Sequence, residues 1–193
     1  MEEAKAYIDR HILLAPGRYR DLQMEHMIPK EKLSEESISI ASGLAQMFIE
    51  QGIQVSLLSN ARNGETGEET VVYGASGLAH LNNVNTVLAG LDLSFSVREF
   101  KDIIKEMQNG VYGEDYRAVP GSTNMTYIMI SQNRRENLKE SYRQLTGGIS
   151  GNVSGGAGMW IVPYFIDERE EVFPAGMTDS MDFTAWEVDR NDG

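Results

Sequence analysis

The sequence contains no cysteine, which removes several kinds of chemistry at once. Without thiols the chain cannot form disulfides, build a thiolate zinc site or use a cysteine nucleophile. Disulfides belong mainly to oxidising compartments, so their absence fits a reducing compartment. These considerations narrow the candidate functions without selecting one.

Basic residues are also scarce, with 17 Lys and Arg against 29 Asp and Glu and a formal net charge of -12. A nucleic-acid-binding domain needs a basic footprint, and no cluster of basic residues is present. An anionic lipid surface would repel the chain for the same reason. No stretch of about 18 apolar residues exists, so no membrane span is predicted. The composition therefore predicts neither a nucleic-acid partner nor direct membrane contact.

What is present is an ordinary globular composition, in which 41% of the 193 residues are hydrophobic. A chain of this length can bury one substantial core. The clearest stretch runs from Ser34 to Asn60. Ser34 is a typical N-cap followed by two acidic residues, and Gly52 stands where a left-handed residue would end the helix. The apolar face between them consists of Ile38, Ala41, Leu44, Ala45, Phe48 and Ile49. A short β-prone run then ends at Ser59 and Asn60.

Further along the chain, the predicted order after the first helix is strand, strand, helix, helix, strand, helix and strand. Apolar patterning predicts three strands and three helices after Asn60. The strands are Thr70–Tyr73, Met125–Ile130 and Met159–Val162, the last one stopped by Pro163, and the helices are 78–91, 97–107 and 134–145. This order predicts an α/β fold of three layers, with a mostly parallel central sheet and helices on both faces.

Three regions follow from this assignment. Residues 1–33 have no clear pattern and remain unassigned. Residues 34–166 are predicted to form the α/β domain. Residues 167–193 are strongly acidic and are predicted to be a loosely ordered tail, although Phe183 and Trp186 could anchor parts of it or contact a basic partner.

Polar residues are predicted at the carboxyl ends of two strands. In open α/β sheets, ligands bind in the crevice beyond these strand ends. Ser59 and Asn60 follow the first strand, and Ser131, Gln132 and Asn133 follow the apolar strand Met125–Ile130. They are the candidate binding residues, where a metal-bound water, a phosphate or a carboxylate of a partner could bind. The alternative is that they cap turns and the following helix.

Four segments, in this order and spacing, resemble the C-terminal half of the bacterial "domain of unknown function 58" proteins: EESISIASGLAQMFIEQGIQVSLLSN, GASGLAHLNNVNTVLAGLDL, YIMISQNRREN and GMWIVPY. The resemblance covers roughly residues 34–164 and implies a von Willebrand factor A-like fold. Family members typically carry two transmembrane helices before this domain, and many are encoded beside MoxR-type AAA+ ATPases. The resemblance thus implies a location on the cytoplasmic side of a membrane and possession of a protein partner, but no biochemical activity is established for the family.

Domains of the von Willebrand A type often bind a divalent cation through an Asp-x-Ser-x-Ser motif at the end of the first strand. No such motif precedes the helix after Ser34. Asp92–Ser96 matches the letters, but it is predicted between two helices, where a serine N-cap is the simpler interpretation. We therefore predict no metal ion and no other cofactor, with Mg²⁺ or Mn²⁺ as the open alternative.

No catalytic constellation is recognisable. His80 has no nucleophile near it in sequence, and the glycine-rich run Gly147–Gly156 lacks the ending of a phosphate-binding P-loop, so a connection is the simpler interpretation. We predict a non-enzymatic protein-interaction domain. The alternatives are a divalent-cation-dependent binding or hydrolytic domain that uses oxygens at the strand ends, and a structural domain whose site has decayed. If a first strand is absent, the sheet would have an exposed edge prone to pairing.

Overall fold

The structure is a computed structural model that describes residues 16–92, 99–113, 126–132, 136–146, 157–173 and 183–190. The elements in chain order are α1 (Pro16–Glu50), β1 (Val55–Asn63), β2 (Glu69–Ala75), α2 (Leu78–Ala89), β3 (Leu91–Asp92), α3 (Phe100–Gln108), β4 (Thr126–Ile130), α4 (Glu136–Thr146), β5 (Ala157–Phe165), a 3-10 turn (Ile166–Glu168), α5 (Arg169–Val172) and β6 (Phe183–Val188). The chain is therefore an α/β protein. The predicted strands and helices after Asn60 are all found, with ends shifted by a few residues.

The described strands form two three-stranded sheets. In the hairpin sheet, of order β2-β1-β3, both neighbours of β1 run antiparallel to it. In the parallel sheet, of order β4-β5-β6, all strands run in the same direction. The prediction of a single, mostly parallel sheet is thus wrong for the described strands. The hairpin sheet is antiparallel because a short turn after Asn63 returns the chain directly alongside β1 as β2.

Two helices hold the two sheets in one layer. On one face, α1 packs on both sheets. Its Ala45 contacts Val72 of the hairpin sheet, and its Leu33 contacts Phe165 of the parallel sheet. On the opposite face α3 packs through Ile103 and Ile104, the former against the hairpin sheet and β4 and the latter against β4 and β5. The helix α2 joins the α1 side and α4 joins the α3 side. Helices therefore cover both faces of the strand layer, in agreement with the predicted layering.

The helix α1 ends as predicted but begins earlier. The amide of Gly52 donates to the carbonyl of Ile49, and the amide of Ile53 donates to that of Phe48, at 2.9 and 3.0 Å. Together with φ 78° at Gly52 these bonds form a Schellman motif. The predicted start at Ser34 is wrong, because α1 spans 35 residues from Pro16 and Ser34 lies inside it. Local capping residues mark a possible helix end and do not prevent the helix from continuing.

The strand β5 continues through Pro163, where the sequence predicts a stop. Ser131 donates its amide to the carbonyl of Ile161, so Ile161 directs its backbone groups toward β4. Pro163 has the same orientation, but β4 has already ended, since Ile130 is the last residue of β4 and pairs with Ile161. The missing amide hydrogen of Pro163 therefore costs no ladder hydrogen bond.

Part of the segment predicted as an acidic tail forms β6, which pairs with β5 from Phe183 to Val188. Phe183 packs edge-on against the buried ring of Trp160, with ring centroids 5.0 Å apart. Arg190 lies 4.1 Å from the centroid of Phe165 and forms ion pairs with Asp167 and Glu168. These contacts fix the described end of the chain to the parallel sheet.

Candidate functional site

Ser59 and Asn60 lie within β1, because this strand continues to Asn63. The register of β1 with β2 shifts between Ser59 and Arg62. At this irregularity the hydroxyl oxygen of Ser59 accepts a hydrogen bond of 3.1 Å from the amide of Ala61. The prediction that β1 ends at these two residues is therefore wrong. The Ser59 hydroxyl hydrogen-bonds to a backbone amide of the same strand.

Ser131 and Gln132 directly follow β4, as predicted, whereas Asn133 lies outside the described residues. The carbonyl oxygen of Ser131 accepts a hydrogen bond of 3.1 Å from the indole nitrogen of Trp160. Its amide donates to Ile161 in β5. Ser131 thus ties the end of β4 to the centre of the parallel sheet. Ligand binding by these strand-end residues stays a prediction.

The other motif residues occupy structural positions. Asp92 lies in β3 and pairs with Arg62 of β1, while Leu93 to Arg98, which hold the rest of the Asp-x-Ser-x-Ser match, are outside the described part. The ring nitrogen Nε2 of His80 is 2.7 Å from the carbonyl oxygen of Val55, which links α2 to β1. Within the described residues, no group of three or more His, Asp or Glu side chains could hold a metal ion.

The strand β4 has an edge that pairs with no described strand. It lies at one end of the parallel sheet and pairs only with β5. Alternate residues of a strand direct their backbone groups to opposite sides, and Ser131 directs its amide to β5. Tyr127 and Met129 therefore also face β5, whereas Ile128 and Ile130 direct their amides and carbonyls to the open side. We call these outward backbone groups of Ile128 and Ile130 the β4 edge.

Apolar side chains flank the β4 edge on both faces of the strand layer. Tyr127 and Met129 point to the α3 face, where Tyr127 packs with Ile103 and Met129 with Ile104. Because side chains alternate along a strand, Ile128 and Ile130 point to the α1 face. Apart from Met129, all of these β4 side chains remain partly exposed. The strand thus has the composition of a covered strand with the exposure of an edge strand.

The hairpin sheet and the strand β4 both pack against the helix α3. Leu58 of β1 and Tyr127 of β4 pack against one cluster, which contains Ile103 of α3, and both are only partly buried. The hydroxyl of Tyr127 is nevertheless buried, and among the described residues it has no hydrogen-bond partner. Burial raises the pKa of this hydroxyl. A buried hydroxyl without a partner is uncommon and requires an explanation.

Natural proteins usually protect an edge strand with lysine, proline or a bulge. The β4 sequence Thr-Tyr-Ile-Met-Ile contains no charge and no proline, and its pairing with β5 is regular. The chemistry that such an edge offers is main-chain hydrogen bonding to an extended segment. The sequence predicted this strand but gave its position at a sheet edge only conditionally, through the possible absence of a first strand.

Comparisons with known proteins do not identify the chain, since no family model, curated protein or solved structure matches it. In the described part of the chain, none of the helices combines the length and apolarity required to cross a bilayer.

Proposed function

We propose that this chain is a non-enzymatic domain that binds another protein, and that the β4 edge is its contact site. The observation that carries the proposal is an uncharged strand at a sheet edge, most of whose side chains stay partly exposed. Main-chain groups at Ile128 and Ile130 would supply the hydrogen bonds. The flanking side chains would supply the apolar contact area.

The resemblance to the "domain of unknown function 58" proteins adds a biological setting to this proposal. It places the domain on the cytoplasmic side of a membrane-anchored bacterial protein with a von Willebrand A-like fold. It also points to a MoxR-type AAA+ ATPase as the partner. The α/β fold and the helices on both faces of the strand layer are consistent with this resemblance.

The experiment is a calorimetric titration of the chain with a purified MoxR-type ATPase from the same genome. Replacing Ile128 by proline removes an outward amide without removing a bond to β5. Ile128→Val keeps this amide and serves as the matched control. We expect binding by the unchanged chain and by Ile128→Val, and binding at least about tenfold weaker by Ile128→Pro. Absence of binding by the unchanged chain would contradict the ATPase as partner, and equal binding by all three chains would contradict the site.

A further inference from the structure

We infer that β6 is a detachable strand, which opens from β5 as a unit while the rest of the fold stays in place, and that the uncovered edge of β5 then accepts β6 of a second copy of the chain. This site lies at the opposite end of the parallel sheet from the β4 edge, and the inference does not depend on the proposed function. The strand that fits this edge is known, because the chain's own β6 occupies it from Phe183 to Val188.

Few buried side chains hold β6 to the fold. Among the described strands it pairs only with β5, and of its six residues only Val188 is buried. Phe183 is partly buried against Trp160, and the four residues between the two ends are exposed. The middle of β6 is therefore held mainly by its backbone hydrogen bonds to β5. Segments with few apolar contacts and solvent-exposed backbone bonds are those that open first in a native protein.

The side-chain links of β6 and of Arg190 are polar, and most of them lie at the surface. They are Glu187 with Tyr164 and Arg169, Trp186 with Glu36, and Arg190 with Asp167 and Glu168. The side chains of Arg169 and Asp167 are 70% and 63% exposed. Ion pairs exposed to this degree stabilise a fold little, because water competes for both charges and salt screens them. These links match β6 to its position without preventing its release.

The strand beneath β6 keeps its other contacts when β6 opens. On its far side β5 pairs with β4 over the whole length of β4. Trp160 packs against Tyr142 of α4 and donates its indole N–H to the carbonyl of Ser131. Phe165 lies in one cluster with Leu33 of α1. Opening therefore uncovers the β5 backbone and the side of the Trp160 ring that Phe183 covers, without removing the contacts that hold β5 in the sheet.

A second copy of the chain supplies the same strand. Its β6 would make the same backbone and side-chain contacts with β5, so an exchange of strands costs no contact within the sheet. The chain's own β6 competes through its tether, which gives it a high effective concentration. Two copies with a net charge of -12 also repel each other, and salt screens this repulsion. Exchange should therefore increase with protein concentration and with NaCl.

A fluorescent peptide of the sequence FTAWEVDR, which is Phe183–Arg190, probes the uncovered edge in polarisation titrations of the full chain. Phe183→Ala weakens the tethered strand by removing its contact with Trp160. This variant should bind the peptide at least about tenfold more tightly than the unchanged chain. Thr184→Ala changes an exposed position of the same strand and is the matched control, which should bind like the unchanged chain. The peptide ATAWEVDR should bind more weakly to all three chains.

Exchange between two copies is followed by energy transfer between dyes attached at Val111→Cys. The chain has no other cysteine, and Val111 is 63% exposed. Transfer between unchanged chains should increase with concentration, whereas Phe183→Ala in both copies should lower it, because the exchanged strand then lacks its aromatic anchor. One substitution thus has opposite effects in the two assays. General destabilisation would instead raise both peptide binding and association.

Native-state hydrogen exchange of the unchanged chain tests the opening itself. The amides of β6 should exchange faster than those that pair β4 with β5. Equal protection of β6 and β5 would show that the two strands open together and would overturn the inference, as would peptide binding that Phe183→Ala leaves unchanged. Absence of energy transfer at every concentration and NaCl level would overturn the second copy as the occupant. The ATPase titration concerns the β4 edge and is decided separately.

Discussion

At the scale of single residues, the hydroxyl of Tyr112 contacts two carboxylates. This hydroxyl lies 2.9 Å from a carboxylate oxygen of Glu106 and 3.2 Å from one of Glu69, so it bridges α3 and β2. Its pKa is raised first by burial, then by the hydrogen bond and the negative charge of these two carboxylates. Both effects favour the neutral phenol. Tyr112 therefore stays protonated in the folded chain at pH values where a free tyrosine ionises.

Replacing Tyr112 by phenylalanine should lower the free energy of unfolding by about 1–2 kcal/mol at pH 7, because the two partly buried hydrogen bonds to Glu69 and Glu106 lose their donor. The folded pKa lies above the unfolded value of about 10, so this stabilisation is complete below pH 10. It is lost as the pH rises through the folded pKa, because the unfolded chain releases its proton first. Urea unfolding should show the difference between the two chains shrinking from pH 9 to 11.

A matched control for this substitution is Val111→Ala, since Val111 is the neighbouring residue and is 63% exposed. It should change the free energy of unfolding by less than about 0.5 kcal/mol at every pH. The raised pKa values of Tyr127 and Tyr164 are common to all three chains and cancel in the comparison. A difference that grows with pH would exclude the assigned role of Tyr112.

At the scale of elements, two glycines of the α1 region should respond to alanine with opposite signs. Gly43 lies inside α1, and an added Cβ would meet no atom within 4 Å, so Gly43→Ala should stabilise the chain by about 0.5–1 kcal/mol. Gly52 has φ 78°, so Gly52→Ala should cost about 1–2 kcal/mol although its surroundings are also open. Thermal or urea unfolding of both variants measures this. Effects of the same sign would contradict the Schellman motif.

The elements themselves were predictable where the determinant is local. Gly52 ends α1 as predicted, and the apolar stripe of the helix after Val97 reappears as the buried Ile103, Ile104 and Met107 of α3. The start of α1 was not predictable from Ser34, because a capping residue can be accommodated inside a longer helix. The continuation of β5 through Pro163 depends on where β4 ends, which no local pattern records.

The candidate site was less predictable than the elements that carry it. The apolar composition of β4 predicts a strand covered on both faces. Whether another strand pairs with its edge depends on pairing across the whole chain. For the same reason the sequence could not indicate two sheets in place of one. The strand-end serines are predicted from the positions where the apolar runs stop, but β1 continues past that point and Ser59 lies inside it.

At the scale of the whole molecule, we expect Mg²⁺ or Mn²⁺ at millimolar concentration to shift the thermal midpoint no more than NaCl of equal ionic strength. The chain carries a net charge of -12, so any salt should stabilise it by screening its self-repulsion. Among the described residues, no cluster of three or more His, Asp or Glu side chains is present that would add a specific contribution. Differential scanning fluorimetry with and without chelator makes the comparison.

The matched NaCl series separates screening from binding. A cation bound only by the folded chain adds roughly 2.7 kcal/mol at 100 times its dissociation constant, which is a clear and saturable shift. Such an excess over NaCl would favour the cation-dependent alternative. It would direct mutagenesis to Ser59, Ser131 and Asp92.

The hydrogen bond of 2.9 Å between the Trp186 indole and Glu36 joins residues separated by 150 positions in sequence. The first described helix therefore makes some of its contacts with the last described strand, where Val188 also belongs to the cluster of Leu33. During synthesis on the ribosome, β6 emerges after every other described element, so β5 forms the boundary of the parallel sheet until Phe183–Val188 has been translated. Nascent chains that stop before Phe183 should accordingly depend on chaperones to cover the exposed flank of β5.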